Sequence, residues 1–388
     1  MFKLQGPPLL LVPVAGSGGN GGENSFVSRV NTSANRGGGW GQPHVAPRRR
    51  VTKNGLMKAM VLSSPAPVET SPLALRDVPD PQPGPHEIRL RVRICGVCRT
   101  DLHVVEGELP PQRETVIPGH QVVGVVDAVG AACTRWRRGD RVGIAWLRST
   151  CGQCDRCRRG DENLCEGARF TGYHENGGYA EFAAVHEDFA YAIPLAIADA
   201  EASPLLCAGI IGYRALRRAN IRPGCRLGLY GFGASAHIAI QVAQHLGCRI
   251  FVMTRDEKHR RLAAQLGAEW TGAADAMPPE KIDSAVLFAP AGHLVLPALE
   301  ALDRGGTLAL AGIYLTQIPP LDYERHLFYE RNLRSVTANT RADGEELLRI
   351  AADIPIRPHT VPFPLADANV ALQQLKHDGF EGAGVLAV

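Results

Sequence analysis

The stretch CRLGLYGFGASAHIAIQVAQHLG, Cys225–Gly247, changes its hydrophobic period partway along. CRLGLYG is a short apolar run that suits a buried strand. ASAHIAIQVAQHLG repeats its apolar residues at helical spacing and stops at Gly247. Between them lie Gly231, Phe232, Gly233, Ala234, Ser235 and Ala236. The first glycine permits a tight turn, and the second lets a pyrophosphate approach backbone N–H groups at a helix N-terminus. The small Ala236 lets helix and strand pack closely. Strand, glycine loop and helix in this order mark a dinucleotide-binding βα unit; the alternative is a packing turn of an ordinary α/β domain.

Toward the C-terminus the alternation continues: strand CRIFVM, helix EKHRRLAAQLGA, strand SAVLFA, helix HLVLPALEAL, strand GTLALAG. Such a series implies βαβ units and a doubly wound parallel sheet. Residues 267–286 are too few for a full third βα unit, so that edge is expected to be trimmed. Upstream, ALRRANIRPG reads as a helix stopping at Gly224. About twenty residues past the glycine loop, where NAD-binding sheets place Asp or Glu, the chain has Thr254 and Arg255. A missing carboxylate beside an arginine suits a 2′-phosphate and favours NADP(H) over NAD(H). Asp256, one position on, leaves NAD(H) open.

Toward the N-terminus the signals become short β segments broken by Pro and Gly: MKAMVL, EIRLRVRI, VVGVVDAVG, DRVGIAW and YAEFAAV. They predict a β-rich domain, barrel-like or sandwich-like. Residues 1–56 differ from both regions. GSGGNGG, RGGGWGQP and PRRR offer no apolar face, which reads as a disordered or misassigned leader. LLLVPV raises a signal peptide, against which stand its proline and the cysteines that export would oxidise. Met57 opens the first strand and would serve as a start.

With 388 residues, 45% of them hydrophobic, the chain can bury two cores of ordinary size. A net charge of +3 argues against nucleic acid as the main partner. No run reaches the roughly 18 to 20 apolar residues of a membrane span. Ten cysteines in a chain this long, several in C-x-x-C pairs, point to metal binding in a reducing cytoplasm rather than to disulfides.

Four of them, Cys151, Cys154, Cys157 and Cys165, fall in CGQCDRCRRGDENLC. Four thiolates suit a closed tetrahedral zinc site with no position for substrate. An iron–sulfur cluster and a zinc ribbon binding nucleic acid are other readings of the same loop. GVCRTDLH, PGHQ and LLCAG lie far apart and contribute Cys98, His120 and Cys207, a Cys2His set with an open fourth position. Spacing alone does not join these three, since a lone buried Cys or His is usually structural.

CGVCRTDLH, the PGH motif, the four-cysteine loop, LLCAG and the GxGxxA loop, in this order, resemble the zinc-dependent medium-chain alcohol dehydrogenases. The resemblance runs from about Met57 to the C-terminus. It implies a GroES-like β-rich catalytic domain over residues 57–205, a Rossmann-type cofactor domain over 206–338, and a return to the catalytic domain over 339–388. It implies two zinc ions, one catalytic on Cys98, His120 and Cys207 and one structural on the four-cysteine loop. Asp101 would orient the ring of His120. Thr100 would take the substrate hydroxyl proton and relay it through the cofactor ribose toward His103. Arg99 and Arg341 match positions that contact the cofactor pyrophosphate. Trp146 and Val105 match positions lining the substrate channel, where a valine implies a roomy pocket.

The implied activity is hydride transfer between a primary or secondary alcohol, or its carbonyl, and NAD(P), in a cytoplasmic homodimer or homotetramer. A zinc-free reductase of the quinone oxidoreductase type lacks the ligands present here. Two departures stand out: Gln121 replaces the family's usual Glu after the zinc histidine, and GFGASAH is more crowded than the family's glycine-rich loop.

Overall fold

The computed structural model describes residues 55–354 and 356–388. The leader expected over residues 1–56 lies almost wholly outside the described residues.

Alternation of apolar and charged residues builds the N-terminal sheets. In Glu87–Gly96 the side chains of Ile88, Leu90 and Val92 are buried while Arg89, Arg91 and Arg93 point away, the period of a half-buried strand. Strands β1 (Leu56–Leu62) and β2 (Leu73–Pro79) form an antiparallel pair. Next come β3 (Glu87–Gly96), β4 (Gln121–Val129), β5 (Arg141–Ile144), β6 (Leu147–Ser149), β7 (Arg169–Phe170), β8 (Phe182–His186) and β9 (Ala190–Ala192). β3, β4, β5 and β9 lie side by side, β8 pairs with β3, and β6 with β7 makes a separate short ribbon.

The parallel sheet follows: β10 (Arg226–Tyr230), β11 (Arg249–Met253), β12 (Trp270–Gly272), β13 (Ile282–Leu287), β14 (Leu302–Leu310) and β15 (Asn332–Ser335). Its spatial order is β12-β11-β10-β13-β14-β15, every pair parallel. Strand order reverses at β10, which is where doubly wound sheets bind nucleotides. Both faces are covered at its centre, so β10 and β11 bury apolar side chains on both sides. Leu227, Leu229, Ile250 and Val252 join one core, while Tyr230, Phe251 and Met253 join the other. The expected trimming appears between β12 and β13: the third strand is kept, and residues 273–281 cross over without a helix. The chain then closes with β16 (Thr360–Pro364) and β17 (Ala383–Ala387), and β17 pairs antiparallel with β3. The tail therefore returns to the first sheet.

One helical boundary differs from the sequence reading. The segment read as ALRRANIRPG belongs to a helical run from Asp199 to Arg218, and it ends at Arg218 rather than Gly224. Asn220, with φ +59°, provides the left-handed turn. Within the run, Leu205–Gly209 forms one π turn directly after Pro204. A proline without an N–H cannot continue regular α bonding, and the ladder widens at that point.

Candidate metal and cofactor sites

The helix Arg99–Glu106 begins at Cys98, its N-cap. Asp101, in the first turn, reaches back so that its Oδ2 accepts the Cys98 amide at 2.9 Å. Its Oδ1 accepts the Nδ1–H of His120 at 2.9 Å and the Gly119 amide at 3.2 Å. Gly119 is required where it stands. Its φ is +95°, and a Cβ there would fall 2.3 Å from the ring of Tyr179. This turn delivers His120 fully buried, with its Nε2 lacking any hydrogen-bond partner among the described residues. Cys207 arrives on the π turn, its Sγ 3.7 Å from that of Cys98.

One ligand atom each from Cys98, His120 and Cys207 lie within 4.8 Å of one another. Tetrahedral zinc with Zn–S bonds of about 2.3 Å separates its sulfurs by about 3.8 Å, so the sulfur pair has the right spacing. A buried imidazole nitrogen without a partner completes the donor set. The set also attracts positive charge. A hydrogen bond from Cys207 holds the Cys98 thiol well below its usual range and raises Cys207 correspondingly. Burial works against a charged His120, yet the Asp101 carboxylate and the Cys98 sulfur push it up to about 10. The residues fit a divalent cation.

The four-cysteine loop is similarly preformed. Its Sγ atoms lie 3.9 Å apart for Cys151 and Cys157, and 3.5 Å apart for both Cys154–Cys157 and Cys151–Cys165. Backbone N–H groups of Gln153 and Cys154 lower the Cys151 thiol to about 6. Two residues inside this loop were not singled out by the sequence. Buried Glu162 accepts the Arg341 amide at 2.8 Å and its Nε at 2.9 Å, and Asn163 donates to the Thr337 carbonyl at 2.8 Å. The loop is thus pinned to the start of the helix Arg341–Asp353.

Arg341, matched in the sequence to a pyrophosphate contact, is the residue that this contact holds. Its guanidinium is engaged by Glu162, lies near Asp188, and stacks on the Phe189 ring. Arg99 is largely exposed and pairs with Asp378 at 3.2 Å. Val105 departs from expectation: it is fully buried in the core of the first domain and lines no channel. On that helix it sits on the core-facing side, while Thr100 and His103, three residues apart, share another face. His103 Nδ1 bonds Glu108 at 2.5 Å, a partner the sequence reading did not contain. Trp146 meets the ring of His120 edge-on at 5.0 Å and stacks on Phe170 at 4.9 Å.

At the nucleotide crevice, Tyr230 is in register with Met253, so Gly231 and Thr254 leave neighbouring strand ends. Gly231 has φ +87°, and a Cβ there would come within 2.8 Å of the Ala289 amide nitrogen. Gly233 caps the helix Ala234–His245, and a Cβ on it would meet open space. Ala236 is fully buried. The crowding read in GFGASAH is relieved because Phe232 turns inward and stacks on His237. Thr254 is buried, Arg255 is exposed, and Asp256 caps the next helix by accepting the Lys258 amide at 2.8 Å.

The sequence matches two family models: the alcohol dehydrogenase GroES-like domain over residues 84–195 and the zinc-binding dehydrogenase over residues 236–353. It is 55% identical over 337 residues to the "Probable alcohol dehydrogenase AdhA" of Mycobacterium tuberculosis (strain CDC 1551 / Oshkosh), covering 86% of this chain and 97% of that one. It is 31% identical to the "NADP-dependent alcohol dehydrogenase C" of Mycobacterium bovis (strain ATCC BAA-935 / AF2122/97), over 74% of this chain and 87% of that one. Among solved structures, a cobalt- and zinc-bound thermostable alcohol dehydrogenase from Pyrobaculum aerophilum superposes with a TM-score of 0.77 at 28% identity, covering 86% of this chain and all of that one. Two models in sequence order, one on each kind of sheet, and a relative this similar along nearly its whole length leave one conclusion: the chain belongs to the zinc-binding, medium-chain alcohol dehydrogenases.

Proposed function

We propose that this alcohol dehydrogenase works with two zinc ions per chain, one held by Cys98, His120 and Cys207 and one by Cys151, Cys154, Cys157 and Cys165. The observation that carries the reading is the buried, partnerless Nε2 of His120 facing two sulfurs. When bound, zinc at the three-ligand site supplies Lewis acidity toward an alcohol or carbonyl oxygen, and a nicotinamide ring supplies the hydride acceptor or donor. Asp101 fixes the tautomer of His120 by taking its Nδ1–H, which directs the Nε2 lone pair toward the sulfurs. Thr100 takes the substrate hydroxyl proton, and His103, steadied by Glu108, receives it toward solvent. Trp146, edge-on to His120, lines the substrate side of the site. Gly231, Gly233, Ala234, Ser235 and Ala236 cradle the pyrophosphate, with Arg99 at its rim.

We favour NADP(H). The residue following β11 is Thr254, not a carboxylate; Asp256 is occupied as a helix cap, and Arg255 is exposed beside the crevice. A homodimer or homotetramer is the assembly we favour, since Ile313, Tyr314, Tyr323 and Phe328 are each more than half exposed and β15 is an edge strand. A reducing, cytoplasmic setting would keep the ligand thiols available.

The test is metal analysis with a screen of alcohols and aldehydes against both cofactors, on the natural chain and on Cys98→Ser. The natural chain should carry close to two zinc ions. The variant should keep the fold and about one zinc and lose turnover at least about a thousandfold. Near-normal turnover in Cys98→Ser would refute the ligand assignment.

A further inference from the structure

Six of the cysteines converge in the two metal-binding sets, leaving Cys95, Cys133, Cys225 and Cys248. Two of these four are chemically quiet. Cys95 is fully buried, and burial pushes its thiol well up. Cys133 donates to the Glu187 carboxylate at 3.2 Å, and burial together with that carboxylate raises its pKa.

Cys225 and Cys248 are different, because their sulfurs lie 3.4 Å apart. Each immediately precedes a strand of the parallel sheet, Cys225 before β10 and Cys248 before β11. The Arg249 amide donates to the Cys225 carbonyl at 2.9 Å, so the two backbones are already in register at this point. Adjacent strands run about 4.8 Å apart, within the Cα span that a disulfide bridges without backbone movement. Each cysteine also follows an exposed glycine in a left-handed turn, Gly224 with φ +75° and Gly247 with φ +70°. Both thiols are therefore buried, but each lies one residue beneath a surface turn. Cys248 hydrogen-bonds to Cys225 and lowers its thiol to about 7, which makes Cys225 the better nucleophile of the pair.

We propose that Cys225 and Cys248 are a dithiol modification site, reversibly oxidised by low-molecular-weight disulfides to a bond that closes residues 225–248 into a covalent ring. The Cys225 thiolate attacks one sulfur of the small disulfide, breaking its S–S bond and releasing one small thiolate. Cys248 gives its proton to solvent and attacks the Cys225 sulfur, releasing the second small thiolate. The protein dithiol loses two electrons, and the small disulfide gains them as two thiols. The ring contains β10, the glycine loop and the helix Ala234–His245, the βα unit that would hold the pyrophosphate. The new bond sits at the strand ends opposite that loop, so its effect falls on the stability of the unit. Constraining this segment in the unfolded chain should raise the melting temperature of the oxidised form by several degrees.

The test uses the full-length, metal-loaded protein incubated with oxidised or with reduced glutathione. Samples are blocked with N-ethylmaleimide under denaturing conditions and digested without reduction. The expected result is a Cys225–Cys248 linked peptide after oxidised glutathione only, lost on dithiothreitol, with a higher melting temperature that reverses in parallel. Zinc content, followed alongside, separates this bond from oxidation of the ligand cysteines. Cys248→Ser should trap glutathione on Cys225, and Cys225→Ser should abolish both the link and the thermal shift. If the variants fail to fold, the oxidised and reduced natural chain alone decides. Both cysteines remaining fully alkylated after exposure to oxidised glutathione would overturn the proposal, as would either one linked to a metal-set cysteine instead.

Discussion

The carboxylate of Asp101 accepts the Nδ1–H of His120 at 2.9 Å, and the same group's other oxygen accepts the amide of Cys98 at 2.9 Å. One buried side chain thereby orients two of the three residues proposed to hold the catalytic metal. In Asp101→Asn, only one amide atom remains an acceptor, so one of the two contacts must turn repulsive. Zinc affinity at this site should fall about 10- to 100-fold, measured by chelator competition. The four-cysteine zinc should stay in place, and an unchanged affinity at the three-ligand site would remove Asp101 from this role.

The sequence was most informative where chemistry restricts residue type. A glycine loop between a strand and a helix can be read locally, because Gly231 needs φ +87° and close approach to Ala289. Cys98, His120 and Cys207 could be joined only through family resemblance, since no local rule relates residues on a helix N-cap, a turn and a π turn. What stayed hidden depended on orientation. Val105 was expected in a channel, but its place on the helix turns it into the core. Arg341 also meets Glu162, 179 positions away in the chain, a partner that no local pattern announces. Charge complementarity across such a separation leaves no periodic trace. Pro204, which cannot donate to the helical ladder, is the local signal for the π turn.

The Glu162–Arg341 pair allows a direct test of whether Arg341 serves the fold or the cofactor. The Glu162 side chain is 8% exposed and that of Arg341 35% exposed, so losing the guanidinium leaves a mostly buried carboxylate poorly compensated. Arg341→Ala should destabilise the protein by about 1–3 kcal/mol in urea unfolding, discounted because one partner is partly solvated. Glu162→Gln in the same chain should recover part of the loss. KM for the cofactor should change less than about twofold, whereas a pyrophosphate ligand would raise it about tenfold or more.

Arg255 should discriminate between the two nicotinamide cofactors. It is exposed next to Thr254, and the two carboxylates that follow it are both occupied: Asp256 accepts the Lys258 amide as the helix cap, and Glu257 pairs with Arg260. A charge-assisted contact to a 2′-phosphate contributes enough that Arg255→Ala should raise KM for NADP(H) about tenfold or more. KM for NAD(H) should barely move. Asp256→Ala should lose about 1 kcal/mol of helix capping and leave the cofactor ratio alone. If Arg255→Ala leaves the NADP(H) to NAD(H) ratio unchanged, the specificity lies elsewhere.

Glu187 should dominate one part of the acid limb of stability. The residue is buried, which by itself would raise its pKa, yet its Oε2 accepts the amides of Arg135 at 2.6 Å and Thr134 at 2.8 Å and the Cys133 thiol at 3.2 Å. These donors bring it down to about 2. An unfolded glutamate titrates near 4.3, so between about pH 4.3 and 2 the unfolded chain takes up a proton that the folded chain refuses. The stabilisation is complete above that window and disappears as the pH falls through it. In Glu187→Gln the amide cannot titrate, so the urea midpoint should be lower than that of the natural chain at pH 7. Its slope against pH between 4.3 and 2 should be shallower. Parallel pH profiles for the two proteins would show that the three donors do not hold the carboxylate ionised.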